Sequence, residues 1–195
     1  MVVGINKQYL PASDANRYRL GMWVTLASIV MLFTSLSSAY IVRAASSSDW
    51  QPLAMPRILL LSSVLILVSS GTLEAARRKL KHAGDAYRPW LLLTLVLGIG
   101  FLVSQLIAWR QLARQGVYVA SNPHSSFFYL LTATHGVHLL GGLGGLAYLS
   151  LRSRALQEDN SAVTTAQAKA DAVTLYWHFM DFLWLYLFVL LFYVR

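Results

Sequence analysis

Six residues of this chain combine types and spacings that could carry chemistry: Glu74, Gln105, His135, His138, His178 and Asp181. His178 and Asp181 stand one helical turn apart inside an otherwise apolar run, Thr174–Phe192. A titratable group at bilayer depth costs roughly 2.5–3.5 kcal/mol even on lenient insertion scales, so such groups are kept only where they face protein or water. The pair His135-Gly-Val-His138 repeats the one-turn spacing, and imidazole is the commonest metal ligand. Three chemistries are open on these residues alone. The histidines could hold a metal or haem; His178, Asp181 and Glu74 could relay protons; or all six could hydrogen-bond across helices and join them. Glu74 has a local option as well, because Arg77 and Arg78 follow it at ion-pairing distance on a helix and could draw it to the interface. Its other option is to cross to His178. With no cysteine in the chain, disulfides, thiolate metal sites and cysteine nucleophiles are excluded.

The elements that must position these residues are membrane spans. Of the 195 residues 56% are hydrophobic and only 12% charged, against about 25% charged in soluble domains. A hydrocarbon core of ~30 Å takes about 20 helical residues. Five apolar runs reach that length, near residues 20–42, 58–76, 90–109, 126–151 and 173–194. Lipid leaves open backbone groups unsatisfied, and the runs are too long and uniform for barrel strands, so all five are expected to be helices. The pattern predicts an all-α bundle of five transmembrane helices, with residues 1–195 forming one membrane domain. The first run is far longer than the apolar part of a secretory signal, which is about 7–15 residues.

The net charge of +8 belongs to topology rather than to nucleic acid, because the basic residues flank the runs. Eleven of them (Lys7, Arg17, Arg19, Arg77, Arg78, Lys79, Lys81, Arg88, Arg152, Arg154 and Lys169) fall on one side. Arg43, Arg57, Arg110, Arg114 and Arg195 fall on the other. The richer side is cytoplasmic by the positive-inside rule, which gives N-in and C-out. Trp23, Trp50, Trp90, Trp109 and Trp177 lie at or near span ends, where interfacial aromatics anchor helices. The longest connection, about residues 153–172, is polar and is expected to be a loop.

A 3.6-residue period gathers the buried polar groups into stripes. On the second span Ser63, Ser70 and Glu74 fall within about 40° of one another, and on the third Gly98, Gln105 and Trp109 repeat that spacing. The fourth presents Thr132, His135, His138, Gly142 and Gly145; the fifth presents Trp177, Asp181 and Trp184, with His178 on the flank. The first has hydroxyls only, Thr25, Ser28, Ser35 and Ser38. Such stripes are expected to face the bundle interior or a partner, and the glycines of the fourth span permit close helix approach.

Three segments resemble subunit III of the haem–copper respiratory oxidases. Ser126-Phe-Phe-Tyr-Leu-Leu-Thr-Ala-Thr-His-Gly-Val-His-Leu-Leu-Gly-Gly142 is similar to that family's FF-x-x-T-G-x-H-G-x-H-x-x-x-G helix. Tyr176-Trp-His-Phe-Met-Asp-Phe-Leu-Trp184 is similar to its W-H-F-x-D-x-x-W helix. Ser69-Ser-Gly-Thr and Leu97–Trp109 match weaker motifs, and the likeness covers roughly Arg19 to Phe192. The chain resembles the five-helix form, which lacks the two N-terminal helices found in seven-helix members.

The resemblance implies a non-catalytic subunit of a terminal oxidase in a bacterial cytoplasmic membrane. No catalytic, cofactor or metal residue is then expected in this chain. Haem and copper would sit in partner subunits I and II, with subunit I in direct contact, and the chain would hold phospholipid, support proton uptake and stabilise the catalytic subunit. Glu74, Gln105, His135, His138, His178 and Asp181 would form an intramembrane seam, structural or proton-related. Two positions depart from the family: Ile29 stands where a carboxylate is frequent on the first helix, and Ala108 stands where Glu commonly precedes the aromatic residue, here Trp109. The alternatives are a nitric-oxide-reductase-associated member of the same family, and a stand-alone His/Asp membrane metal enzyme or proton channel.

Topology is directly testable because the chain has no cysteine background. A Lys79→Cys variant should react with a membrane-impermeant maleimide only after the cells are opened; labelling of intact spheroplasts would reverse the orientation.

Overall fold

The computed structural model describes residues 12–46, 48–53, 55–81, 87–152 and 160–194. Lys7, Arg154 and Arg195, which enter the charge balance, lie outside the described residues. Five α-helices account for nearly all of the rest: α1 (Ala12–Ser46), α2 (Ile58–Lys81), α3 (Tyr87–Arg114), α4 (Pro123–Arg152) and α5 (Asn160–Tyr193). Four contain segments long and apolar enough to cross a membrane, Leu20–Ser46, Ile58–Lys79, Tyr87–Arg114 and Lys169–Tyr193. α4 matches them in length, at 30 residues or about 45 Å. It falls short in apolarity because His124, His135, His138, several hydroxyls and five glycines dilute its leucines.

The helices outrun the apolar windows. α5 begins at Asn160, so much of the stretch expected as a loop is helical. The reason is intrinsic: Ala162, Ala166, Gln167, Ala168, Lys169 and Ala170 are mostly strong helix formers, and a helix satisfies its own backbone whether lipid or water surrounds it.

α2, α3, α4 and α5 close a four-membered ring, each packed on its chain neighbours, with α5 returning to α2. α1 lies outside the ring against α4 and α5. The ring axis is filled by the largest side chains, Trp177 and Trp184 of α5, both essentially inaccessible. Phe101 of α3 meets Trp184 edge-on, with ring centroids 4.9 Å apart.

Glycine makes room for Trp177. A Cβ at Gly98 would come 2.7 Å from the Trp177 ring and 2.8 Å from Leu143, and one at Gly142 would come 3.1 Å from Trp177. On the outer faces of the ring and on α1, Leu60, Val64, Val96, Val103, Met31 and Phe182 stay exposed, as a lipid-facing surface requires.

α1 is fastened mainly at its C-terminal end. Tyr40 donates its hydroxyl to the Val194 carbonyl and packs against Trp50, His124 and Phe127. Trp50 in turn stacks on His124 at 4.8 Å, and His124 Nδ1 lies 3.0 Å from the Gln51 carbonyl.

Gly98→Ala should destabilise the solubilised protein by about 1–3 kcal/mol, the range for overpacking a filled core. Gly144→Ala, where a Cβ meets nothing within 4 Å, is expected to be neutral or slightly stabilising. Thermal unfolding followed by tryptophan fluorescence would separate the two, and equal midpoints would refute the close fit of Trp177.

Candidate functional site

The polar groups of the ring converge on α2. On one side its hydroxyls pair with those of α3: Ser62 with Ser104 and Thr72 with Thr94, each at 2.8 Å. On the other side they meet α5. Trp184 Nε1 donates to Ser63 Oγ and Trp177 Nε1 to Ser69 Oγ, both at 3.0 Å. Ser70 Oγ lies 2.6 Å from His178 Nδ1. At the end of this ladder Arg77 Nε donates to Asp171 of α5 at 2.8 Å. Both seams descend in antiparallel register, so a helix carrying Ser/Thr at alternating offsets can zip to two neighbours at once.

The six sequence-selected residues occupy different parts of this frame. Glu74 is ion-paired within α2, to Arg77 at 3.5 Å and Arg78 at 3.2 Å, and so takes the local partners. Through Arg77 it joins Asp171, which lies in the polar stretch expected to be a loop. His178 and Asp181 share a turn, but the carboxylate lies 3.9 Å from Nδ1, beyond hydrogen-bond reach, because Ser70 holds that nitrogen. Asp181 is buried, and neither of its carboxylate oxygens has a hydrogen-bond partner among the described residues, against the expectation that it would be bonded inside the bundle.

His135 and His138 diverge. His135 is fully buried between Phe101 and Trp184, at 5.8 and 5.3 Å, and neither ring nitrogen has a partner among the described residues. His138 turns toward α1, where it meets Phe33 at 5.7 Å, and its Nδ1 engages its own helix at the Thr134 carbonyl. Gln105 is buried on α3, and its amide likewise meets no described partner. The six therefore do not form one continuous seam. Among the described residues, no three His, Asp or Glu side chains gather as a metal donor set.

Comparison with known proteins adds the deciding observation: the family model for cytochrome c oxidase subunit III matches residues 12–195. The chain belongs to that family. A relative from Nocardia farcinica, described as "Probable cytochrome c oxidase subunit 3", is 31% identical over 92% of this chain and 89% of its own length. Cytochrome c oxidase subunit 3 of Corynebacterium diphtheriae is 30% identical over the same shares. Quinol oxidase subunit 3 of Bacillus subtilis is 26% identical over 87% of this chain and 83% of its own.

In this chain part of the family-like segments joins helices, while His135 and Asp181 of the same segments have no hydrogen-bond partner among the described residues. Trp177, His178 and Trp184 are the α5 half of the ladder, and Ser69, Ser70 and Thr72 supply part of the α2 half. On α4, Thr132 Oγ1 accepts from Trp109 Nε1 at 3.2 Å, and the His138 carbonyl accepts from Tyr176 at 2.8 Å. Ile29 and Ala108, the two departures, are both buried in the apolar core.

A double-mutant cycle tests the ladder. Interhelical hydrogen bonds in membranes average about 0.6 kcal/mol and reach about 1.7. Ser69→Ala and Trp177→Phe should show a coupling in that range, and additive effects on unfolding would mean the contact carries no energy.

Proposed function

We propose that this chain is the non-catalytic third subunit of a haem–copper terminal oxidase in a bacterial cytoplasmic membrane. In this reading residues 1–195 are one membrane domain of five spans, N-in and C-out. α4 is the fifth span, because it lies lengthwise between α3 and α5, from the Trp109–Thr132 contact at one end to the approach of Gly145 and Val173 at the other. Haem and copper sit in subunits I and II, subunit I packs directly on this chain, and phospholipid covers the remaining apolar faces.

The observation that carries the reading is how the ladder uses its polar groups. Its hydroxyls, both axial indoles and the His178 ring are spent on joining α2 to α3 and α5. The relatives named as cytochrome c and quinol oxidase subunits favour the oxidase over the nitric-oxide-reductase-associated alternative. Divergent His135 and His138 weigh against a stand-alone metal enzyme.

Within the assembly the chain acts as a scaffold. Glu74, Gln105, His135, His138, His178 and Asp181 are structural, and Ile29 and Ala108 can neither bind nor pass a proton.

The test is a pull-down through a tag on this chain, with a visible spectrum and a subunit inventory. Haem absorption with larger subunits is the expected result; the chain alone, with stoichiometric metal or its own activity, would overturn the proposal. Glu74→Gln should lower the yield of assembled complex while leaving the turnover of intact complex within about twofold. Normal assembly with turnover reduced severalfold would make Glu74 a proton carrier and end the scaffold reading.

A further inference from the structure

Two of the polar side chains on α3 and α4 have no place in the ladder. His135 is completely buried and Gln105 is 5% exposed. Among the described residues, neither ring nitrogen of the one and neither amide atom of the other meets a hydrogen-bond partner. Both lie deep in their helices, His135 about 18 Å from the start of α4 and Gln105 about 14 Å from the end of α3. Lipid offers such groups nothing, and an amide or imidazole buried without a bond is costly.

Three contacts fix the antiparallel register of α3 and α4. Trp109 donates to Thr132, Phe101 meets His135 with ring centroids 5.8 Å apart, and Gly98 faces Leu143. Gln105 stands midway between Phe101 and Trp109, so it comes level with the turn that joins Thr132 to His135. It shares its helix face with Phe101, Ala108 and Leu112, all completely buried, as His135 shares one with Thr132 and Leu139. The two orphaned groups therefore look into the bundle at one depth.

Their chemistry narrows what can join them. Gln105 offers a carbonyl acceptor and an amide donor; a neutral imidazole offers one donor and one acceptor, on different edges of its ring. A direct bond between the two would serve one group of each and leave the other pair unmet. A ligand that serves all of them must both donate and accept. It must be uncharged, because the flanking groups are the Phe101 and Trp184 rings, and Trp184 commits its N–H to Ser63. It must also be small, since those same rings are packed to near-complete burial. Water meets all three conditions, and a buried water in a protein makes about three such bonds.

We propose that this is an internal water site. Water is bound on the His135 ring nitrogens, at least one molecule of it is shared with the Gln105 amide, and it joins α3 to α4 inside the bundle. The inference concerns the interior of this chain and does not require the oxidase assignment to hold.

The experiment is solid-state NMR of the full chain in bilayers, with whatever subunits accompany it, carrying ¹⁵N-labelled histidine and tryptophan. His135 is assigned by its contacts with the Phe101 and Trp184 rings, so the first reading needs no variant. Magnetisation should pass from water protons to the His135 ring nitrogens. Trp177 Nε1, equally buried but bonded directly to Ser69, should receive about threefold less. Gln105→Met, which keeps the side-chain length and removes its polar groups, should lower the transfer to His135 about twofold. A parent His135 signal no stronger than that of Trp177 Nε1 would overturn the site, and so would a direct coupling between the Gln105 amide and a ring nitrogen. Unchanged transfer in Gln105→Met would overturn the bridge; if that variant does not fold, the parent spectrum decides alone. A subunit inventory of the parent protein reports separately on the oxidase assignment.

Discussion

In hydrocarbon, a hydrogen-bonding group that is not satisfied by protein is satisfied by nothing, and the placement of α2 follows from that constraint. α2 carries hydroxyls on two faces, and each face finds a neighbour: Ser62 and Thr72 turn to α3, Ser63, Ser69 and Ser70 to α5. Hydrophobicity does not drive one helix against another in lipid, since lipid tails are as apolar as leucine. What distinguishes the correct neighbour is that it offers an indole N–H or a hydroxyl at the right depth. The antiparallel register of α2 with both partners is the geometric consequence.

The indoles then dictate the rest of the ring. Trp177 and Trp184 are seven residues apart, two turns on one face of α5, so bonding one to α2 brings the other into line. Their bulk fills the axis and has to be matched by missing bulk opposite. For Trp177, Gly98 on α3 and Gly142 on α4 supply it. Close packing and polar satisfaction therefore meet in one side chain, Trp177, so a change at Gly98 is expected to be felt at the Ser69 bond without touching it. α1 takes no part in this ladder, which explains why it lies outside the ring and leans on an aromatic cluster around Tyr40 instead.

Much of this was legible in the sequence. Five helices followed from apolar run length, and of the stripes read from a 3.6-residue period that of Ser63, Ser70 and Glu74 lies on the face toward α5. Pairings were not legible, because a serine hydroxyl can bond its own helix, either neighbour or a partner, and Ser63 and Trp184 are 121 residues apart. The α3-facing hydroxyls lie off that stripe, and Thr72 enters the sequence pattern only through the Ser69-Ser-Gly-Thr motif. Asp171 was missed because polar composition resembles a loop, whereas alanine-rich polar sequence continues a helix beyond the apolar window. His135 and His138 looked like a pair on spacing alone. A 60° difference around the axis was enough to send one into the ring and the other toward α1.

The two departures from the family pattern fit the same economy of polar groups. Position 29 faces the core shared by α1, α4 and α5, where the neighbours are Phe33 and other apolar side chains. A carboxylate there would need a donor within that apolar cluster. Position 108 is completely buried on α3, one turn beyond Gln105, whose amide already lacks a described partner. Adding an acid beside it would double the number of buried groups needing satisfaction in a region without hydroxyls to spare. Isoleucine and alanine remove that demand at their own positions, whereas Gln105, His135 and Asp181 stay buried without a described partner. A bundle built on those terms places its interhelical bonds on α2 and α5 and leaves positions 29 and 108 to packing.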